Sequence, residues 1–211
     1  MKIVIASDIH GSAYWCARLM DRIDAIAPDR IVLLGDLLYH GPRNDLPRDY
    51  APKRVIPMLN GIASSIVAVR GNCEAEVDQM VLDFPCMADY VMVEDEAMSM
   101  FCTHGHLWNP QHMPPLFAGN AAGVDGCAGD AARTVSGVAN KAVNGTGSDS
   151  AHQPRSVKRA FLYGHTHIKQ CECVNGIQLI NPGSVSIPKD GSHSFATYED
   201  GVFTLHTLTE Q

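Results

Sequence analysis

Short apolar runs that end in polar side chains recur along this chain, and this pattern constrains its fold more than any other feature. The first run, Ile3–Ala6, is followed by Asp8 and His10. A run of this length between polar residues is typical of a buried β-strand. In open α/β folds, ligands bind beyond the carboxyl ends of such strands. We therefore expect Asp8 and His10 to face a site at one edge of a sheet.

The first 36 residues predict a strand, a helix and a second strand. Residues 12–26 carry apolar side chains at helical spacing, with Ser12 as the predicted N-cap. The apolar run over 31–34 is the second strand, and it ends at Asp36. Two strands joined in this way are parallel, so their carboxyl ends meet at one edge. Asp36 should therefore lie close to Asp8 and His10.

Three more strands are predicted just before polar residues, over 65–69, 98–102 and 160–163. The polar residues that follow these strands are Asn72, His104, His165 and His167. We also predict helices at about 53–63 and 75–84, the first distorted by Pro57. Beyond residue 85 the pattern changes to strand after strand, with hairpin turns at 95–96, 175–176 and 200–201.

The length of 211 residues fits a single domain. Residues 118–157 differ in composition from the rest, because Gly, Ala and Ser replace large apolar side chains. We interpret this stretch as an insertion that holds one helix, predicted over 130–144. A tolerated loop expansion, a lid and an oligomer contact are all open interpretations of it.

Composition argues against several classes of partner. No apolar run approaches the roughly 20 residues of a membrane span, and the net charge of −7 makes a nucleic-acid partner a poor match. The N-terminus shows no secretory signal pattern. Seven cysteines at irregular spacing favour reduced thiols over a disulfide framework. We therefore expect a cytoplasmic protein.

Together the strand exits offer seven candidate metal ligands, which are Asp8, His10, Asp36, Asn72, His104, His165 and His167. Each has an ordinary explanation alone: Asp36 or Asn72 could be a turn residue, and a single histidine is commonly just hydrogen-bonded. As a set they are too many for one tetrahedral ion and suit two ions that share a carboxylate. Imidazole with carboxylate favours Mn, Fe, Zn or Co over Ca or Mg. Such a pair of ions suits phosphoryl transfer.

The same residues resemble the motifs of the calcineurin-like metallophosphoesterases. The matching segments are Asp8-Ile9-His10, Gly35-Asp36, Gly71-Asn72, His104-Gly105-His106 and Gly164-His165-Thr166-His167, with Asn181–Pro188 as a further match to a phosphodiesterase branch of that family. The resemblance covers roughly residues 1–117 and 160–191. It implies a four-layer α/β/β/α sandwich and a phosphodiesterase that uses two divalent ions. Manganese is the ion it favours, with iron, zinc, cobalt or nickel as alternatives.

The resemblance also implies a role for each ligand. Asp8, His10 and His167 would hold one ion, Asn72, His104 and His165 would hold the other, and Asp36 would bridge them. A hydroxide bridging the ions would attack phosphorus, with Asp36, Asn72 and His104 in the catalytic centre. We expect the backbone around Asn181-Pro182 to accept hydrogen bonds from the outer nitrogens of the imidazoles.

One position departs from the resemblance. Many phosphomonoesterases of the superfamily have a histidine after Gly-Asn, where this chain has Cys73 followed by Glu74. A thiol is a poorer proton donor near neutral pH and carries no positive charge. We therefore expect weak activity on monoesters and a preference for diesters with good leaving groups. A buried filler role for Cys73 is the alternative.

Four other residues lie near the predicted site in sequence. Arg43 and Asn44 follow the bridging aspartate and are candidate phosphate contacts, and His40 and His106 are candidate neighbours of the ligands. The substrate expected is a small or aryl phosphodiester. A phosphomonoesterase or nucleotide pyrophosphatase on the same site is one alternative, and a protein-docking scaffold resembling the retromer subunit of this fold is another. A homo-oligomer is left open.

Overall fold

The computed structural model describes residues 1–117 and 157–210 of the chain, which form two five-stranded sheets. The strands, in chain order, are β1 (Lys2–Ala6), β2 (Arg30–Leu33), β3 (Ile66–Ala68), β4 (Tyr90–Glu94), β5 (Met98–Thr103), β6 (Lys158–Leu162), β7 (Lys169–Val174), β8 (Ile177–Pro182), β9 (Ser194–Glu199) and β10 (Val202–Thr207). The first sheet has the order β10-β9-β1-β2-β3, and the second has β4-β5-β6-β8-β7.

Parallel pairing at the centre of each sheet decides where the site lies. β1, β2 and β3 are parallel neighbours, as are β5, β6 and β8. The carboxyl ends of parallel strands share one edge of a sheet. The predicted unit of strand, helix and strand is confirmed: β1 pairs with β2 from Ile3 opposite Arg30 to Ala6 opposite Leu33.

Three α-helices lie within the described residues: α1 (Ala13–Ile26), α2 (Pro52–Asn60) and α3 (Glu76–Gln79). Ser12 is the N-cap of α1, as predicted, and its hydroxyl accepts a hydrogen bond from the Trp15 N–H. The helix predicted at about 75–84 ends at Gln79, so the prediction is wrong beyond that residue. After a last helical hydrogen bond from the Leu82 N–H to the Asp78 carbonyl, the Gln79 amide donates to the Phe84 carbonyl and accepts from the Cys86 N–H, so a side chain holds the segment that follows.

The alternation of side chains along β1 builds two cores. Ile3 and Ile5 face the second sheet and pack in a cluster that includes Met100 and Leu162. The intervening residues of β1 face outward, where α1 and α2 cover them through side chains such as Leu19. Burial on both faces explains why β1 is a continuous apolar run.

The outer face of the second sheet carries an aromatic cluster around Phe101, Phe161 and Tyr163. A 3₁₀ helix, Pro115–Phe117, packs there within the described residues. The α/β sandwich of two packed sheets with flanking helices is therefore confirmed. The helix predicted over 130–144, and the insertion that contains it, lie outside the described residues.

Two further expectations can be compared with the described part of the chain. None of its helices is long and apolar enough to cross a membrane. Its free thiols are Cys16, Cys73, Cys86, Cys102 and Cys171.

Candidate active site

The candidate ligands leave their strands through unusual backbone conformations. Asp8, His10, Asp36, His165 and His167 all have left-handed φ angles, between 46° and 65°. Such conformations are uncommon for residues with a side chain and cluster at functional sites. Each left-handed residue turns the chain sharply at the end of a strand. The turns let side chains from β1, β2 and β6 point toward one another.

Three of the four predicted histidine ligands are oriented by backbone carbonyls. The Nδ1 atoms of His10, His104 and His167 lie 2.8, 2.6 and 2.6 Å from the carbonyl oxygens of Tyr39, Leu34 and Ile187. An Nδ1–H that donates to a carbonyl leaves the lone pair of Nε2 free to face the site. The prediction that Asn181-Pro182 supplies these acceptors is therefore wrong for these three rings.

One group of donors gathers around Asp8. The Oδ1 atom of Asp8 lies 3.2 Å from the Nε2 atom of His167 and 3.6 Å from that of His10. The two Nε2 atoms are 3.4 Å apart. All three side chains are buried. Strand exits 157 residues apart in sequence thus converge on a space of a few ångströms.

A second group gathers around His104. Its Nε2 atom lies 3.1 Å from the Oδ1 atom of Asn72 and 3.2 Å from the Nδ1 atom of His165. The Oδ2 atom of Asp36 lies between the groups, 3.5 Å from the Nε2 atom of His104 and 3.6 Å from that of His10. All seven predicted ligands are therefore brought together.

The electrostatics of the two groups are coupled. Burial alone would raise the pKa of Asp8, but the adjacent imidazoles of His10 and His167 and the nearby His104 hold it well below its usual value. Burial alone would lower the pKa of His104, but its hydrogen bond to Asp36 and the two nearby carboxylates raise it to about 9. Asp36 likewise has a lowered pKa, since His104 outweighs its burial. The site therefore keeps its carboxylates ionised and attracts positive charge.

The donor set fits divalent metal ions. With each Nδ1–H donated to a carbonyl, the Nε2 atoms of His10 and His167 face each other at 3.4 Å. The Oδ1 atom of Asp8 is buried and has no hydrogen-bond donor among the described residues. Carboxylates and imidazoles within 4.8 Å of one another include Asp8 with His10 and His167, and Asp8 with Asp36 and His104. A cation satisfies such facing acceptors, and imidazole with carboxylate suits transition metals.

Glu74 holds the exits of β2 and β3 together, a role that sequence reasoning did not find. Its Oε2 atom accepts hydrogen bonds from the N–H groups of Asp36 at 2.8 Å and Gly71 at 2.5 Å. Its Oε1 atom accepts from the N–H of Leu37 at 2.6 Å. Burial and the charge of Asp36 raise the pKa of Glu74 to about 7. The sequence offered one signal for this role, which was a carboxylate directly after Cys73.

Gly71 allows the two strand exits to approach this closely. A Cβ atom at Gly71 would lie 2.1 Å from the Oδ1 atom of Asp36 and 2.6 Å from its backbone nitrogen. No rotation of a side chain can relieve the contact with the backbone. The glycine of the Gly-Asn pair is therefore required for the position of Asp36.

The segment Asn181–Pro188 supports the turns that carry the ligands, besides supplying the Ile187 carbonyl that accepts from His167. The hydroxyls of Ser184 and Ser186 donate to the Asp8 carbonyl at 2.9 and 3.0 Å. The Asn181 amide donates to the Gly164 carbonyl at 2.9 Å, just before His165. These bonds fix the two turns that carry Asp8 and His165. They explain why this segment accompanies the ligand motifs.

A polar cavity of about 320 Å³ opens beside the ligands. Arg43, Asn44 and Cys73, the candidate substrate contacts, line it, and Lys189 adds a cation that sequence reasoning missed. His40 and His106 are not among the described residues that line it. His106 packs beside His104, with ring centroids 5.3 Å apart, and His40 packs against Tyr50, with centroids 5.1 Å apart.

Cys73 lies at the boundary of the ligands and this cavity. Its N–H donates to the Oδ1 atom of Asp36 at 2.9 Å, and its thiol lies 3.3 Å from the Asn72 amide nitrogen. Burial, and then the negative charge of Asp36, raise the pKa of the thiol above its usual value. The side chain is therefore a neutral thiol beside the ligands.

Comparison with known proteins places the chain in a family. The calcineurin-like phosphoesterase superfamily domain matches residues 1–200. The chain belongs to the calcineurin-like phosphoesterase superfamily. It is 36% identical to the phosphodiesterase YfcE of Escherichia coli K12 over 100% of this chain and 94% of that protein. Membership of this superfamily, together with the similarity to a phosphodiesterase, identifies the chain as an enzyme that hydrolyses phosphoric esters with divalent metal ions.

Solved structures agree with this placement. The structure of YfcE, a phosphoesterase from E. coli, matches with a TM-score of 0.78 at 36% identity, over 100% of this chain and 95% of that one. A structure of Vps29 from Entamoeba histolytica matches with a TM-score of 0.54 at 15% identity, over 98% and 97% of the two chains. The second match shows a shared calcineurin-like fold only.

Proposed function

We propose that this chain is a two-metal phosphodiesterase that hydrolyses a small or aryl phosphodiester. The observation that carries the proposal is the position of the Asp36 Oδ2 atom, about equally far from His10 on one side and His104 on the other. One carboxylate between two groups of donors suits two ions better than one. The similarity to a protein named phosphodiesterase supports the choice of diester.

We assign Asp8, His10 and His167 to one ion, and Asn72, His104 and His165 to the other. Asp36 is the shared ligand. The groups match the distances around Asp8 and around His104. Manganese is the proposed metal, because the family resemblance favours it and the donor set accepts it. Iron, zinc, cobalt and nickel are the alternatives for the metal analysis.

The residues of the chain position the substrate and the attacking group. When bound, two divalent ions would lower the pKa of a water molecule and neutralise charge that develops on the phosphoryl oxygens. Arg43 and Lys189, whose side chains line the cavity, supply positive charge for the non-bridging oxygens. Burial of Asp8 and Asp36 keeps the ligand geometry fixed before the substrate arrives.

The leaving group receives no proton from an imidazole at position 73. Cys73 is a neutral thiol beside Asp36, and its raised pKa makes it a poor general acid. Esters whose alcohol leaves without protonation are therefore the best substrates. A dianionic monoester also finds no positive charge at this position, which favours the monoanionic diester.

The test of the metal assignment is the substitution Asp36→Asn. Loss of the shared carboxylate should lower the bound metal, measured by elemental analysis, and kcat on a nitrophenyl diester together, each by about tenfold or more. Asp24→Asn, an exposed position on α1, is the matched control and should change neither. Full metal content and full rate in the Asp36 variant would show that Asp36 is no ligand.

A matched pair of substrates tests the diester assignment. With manganese, kcat/KM for bis-nitrophenyl phosphate should exceed that for nitrophenyl phosphate. A monoester rate tenfold the higher would instead identify a phosphomonoesterase on the same site. A stoichiometric protein partner with no turnover under any divalent metal would favour the scaffold alternative. The cytoplasmic location and the interpretation of 118–157 as an insertion stay predictions. A homo-oligomer stays an open question.

A further inference from the structure

An apolar groove lies beside the polar cavity and has no place in the mechanism described above. Its volume is about 390 Å³, within the range of ~300–1,000 Å³ typical of ligand pockets. Leu38 and Ile56 line it, together with Val77 and Val81 from the region of α3. Val77 is 59% exposed and Val81 is 38% exposed, so the groove leaves large apolar side chains open to solvent.

The groove and the polar cavity share one wall, which is Cys73. The thiol therefore has the ligands and the phosphate-sized cavity on one side and apolar side chains on the other. A group bonded to a phosphoryl oxygen in the cavity would have to extend only past this side chain to enter the groove. The two spaces are thus adjacent.

The rest of the groove wall is anchored to the metal ligands. The carbonyl of Tyr39 accepts the hydrogen bond from the Nδ1 atom of His10 at 2.8 Å. The ring of Tyr50 packs so closely on Gly11 that a Cβ atom there would lie 2.6 Å from it. Both tyrosines line the groove. The groove therefore has a fixed position relative to His10 and the adjacent glycine.

The lining of the groove is mainly apolar and aromatic. Of its two charged residues, Asp78 accepts a hydrogen bond from the Ala75 N–H at 2.9 Å and is buried, and Lys53 is exposed to solvent. The rings of Tyr39 and Tyr50 offer flat contact surfaces, and aromatic groups pack on such rings at an edge or offset. An aromatic ring fits this lining better than a sugar does.

We propose that this groove binds an aromatic ester group of the substrate, next to the phosphoryl group in the polar cavity. The inference rests on the proposed phosphodiesterase function and adds a specificity site to it. Cys73 divides the two subsites. A histidine at that position would be larger than the thiol and would take up space at the boundary of the two subsites.

The test compares the binding of phenylphosphonate and methylphosphonate to the manganese-loaded enzyme by titration calorimetry. These probes share the charged group and differ only in the apolar part. The wild type should bind phenylphosphonate about tenfold more tightly. The variants Val77→Asn and Val81→Asn should reduce this ratio to about twofold while leaving the affinity for methylphosphonate unchanged.

Val202→Asn is the matched control, because Val202 on β10 is 63% exposed and does not line the groove. It should keep the wild-type ratio. Equal affinity of the wild type for the two probes, or a ratio that neither groove variant changes, would overturn the proposal. If Val77→Asn dissociates an oligomer in sedimentation experiments and the wild-type ratio is one, the groove is an interface between copies instead.

The same samples separate this inference from the proposed function. Hydrolysis of methyl nitrophenyl phosphate tests the diesterase, whereas the affinity ratio tests the groove. Selective binding of phenylphosphonate without diester hydrolysis would support the groove and remove the phosphodiesterase assignment. Diester hydrolysis with equal affinities would do the reverse.

Discussion

Left-handed backbone at five ligand positions shows how the fold holds individual residues in place. For residues with a side chain this conformation costs about 1 kcal/mol or more each. Hydrogen bonds to the same short segments offset the cost, such as those from Ser184 and Ser186 to the Asp8 carbonyl. Strain at Asp8 is thus a consequence of directing its carboxylate into the site.

The residue with the clearest effect on substrate choice is Cys73. The substitution Cys73→His should raise kcat/KM for a nitrophenyl monoester at least about tenfold relative to that for the diester, because an imidazole can donate a proton and carry positive charge. Steady-state rates on the matched pair measure this ratio. Cys171→His, at an exposed thiol on β7, is the control and should leave the ratio unchanged. An unchanged ratio in the Cys73 variant would mean that the thiol does not determine the preference.

At the scale of elements, the site depends on how the exits of β2 and β3 are joined. Glu74 accepts three backbone N–H groups from these two exits. Such groups would be left buried without a partner if the carboxylate were absent. A buried donor without a partner costs about 1–3 kcal/mol. The carboxylate of Glu74 therefore links the ends of β2 and β3, which no turn connects.

The substitution Glu74→Ala should lower the free energy of unfolding of the metal-free protein by about 2–4 kcal/mol, measured by urea denaturation. It should also reduce metal content, since Asp36 loses the bond that fixes its backbone. Glu76→Ala, two residues further on and exposed, should change either quantity little. Equal effects of the two substitutions would contradict the role assigned to Glu74.

The elements themselves were predictable to different degrees. α1 and β1 follow from the spacing of apolar residues, because each is long or continuous enough for its period to be visible. The segment after Gln79 was not predictable, since its apolar spacing fits a helix while the Gln79 side chain takes the hydrogen bonds. The carbonyl partners of His10 and His167 were equally hidden, because they come from loops distant in sequence.

At the scale of the whole molecule, the fold buries two like charges side by side at the ends of β1 and β2. Asp8 and Asp36 are both buried, and the charge of Asp8 opposes the ionisation of Asp36. Cations bound between them would relieve this repulsion in the folded state only. Metal binding should therefore stabilise the fold as a whole.

Addition of manganese to metal-free protein at a concentration about 100 times its dissociation constant should add roughly 2.7 kcal/mol of stability and raise Tm by about 5–10 °C. Differential scanning fluorimetry with and without a chelator measures the shift. The Asp36→Asn variant should lose most of it, and Asp24→Asn should keep all of it. If manganese left the Tm of the wild type unchanged, this result would contradict a buried two-ion site.

The sequence by itself determined which strands exist and which side chains follow them, because apolar period and glycine position are local properties of the chain. It also identified all seven ligand candidates and the superfamily. Only the tertiary structure decided which imidazole nitrogen faces the site, that Glu74 joins two strand exits and that an apolar groove adjoins Cys73. The physical reason is that these features depend on contacts between segments far apart in sequence. Such contacts exist only after the sheets have packed.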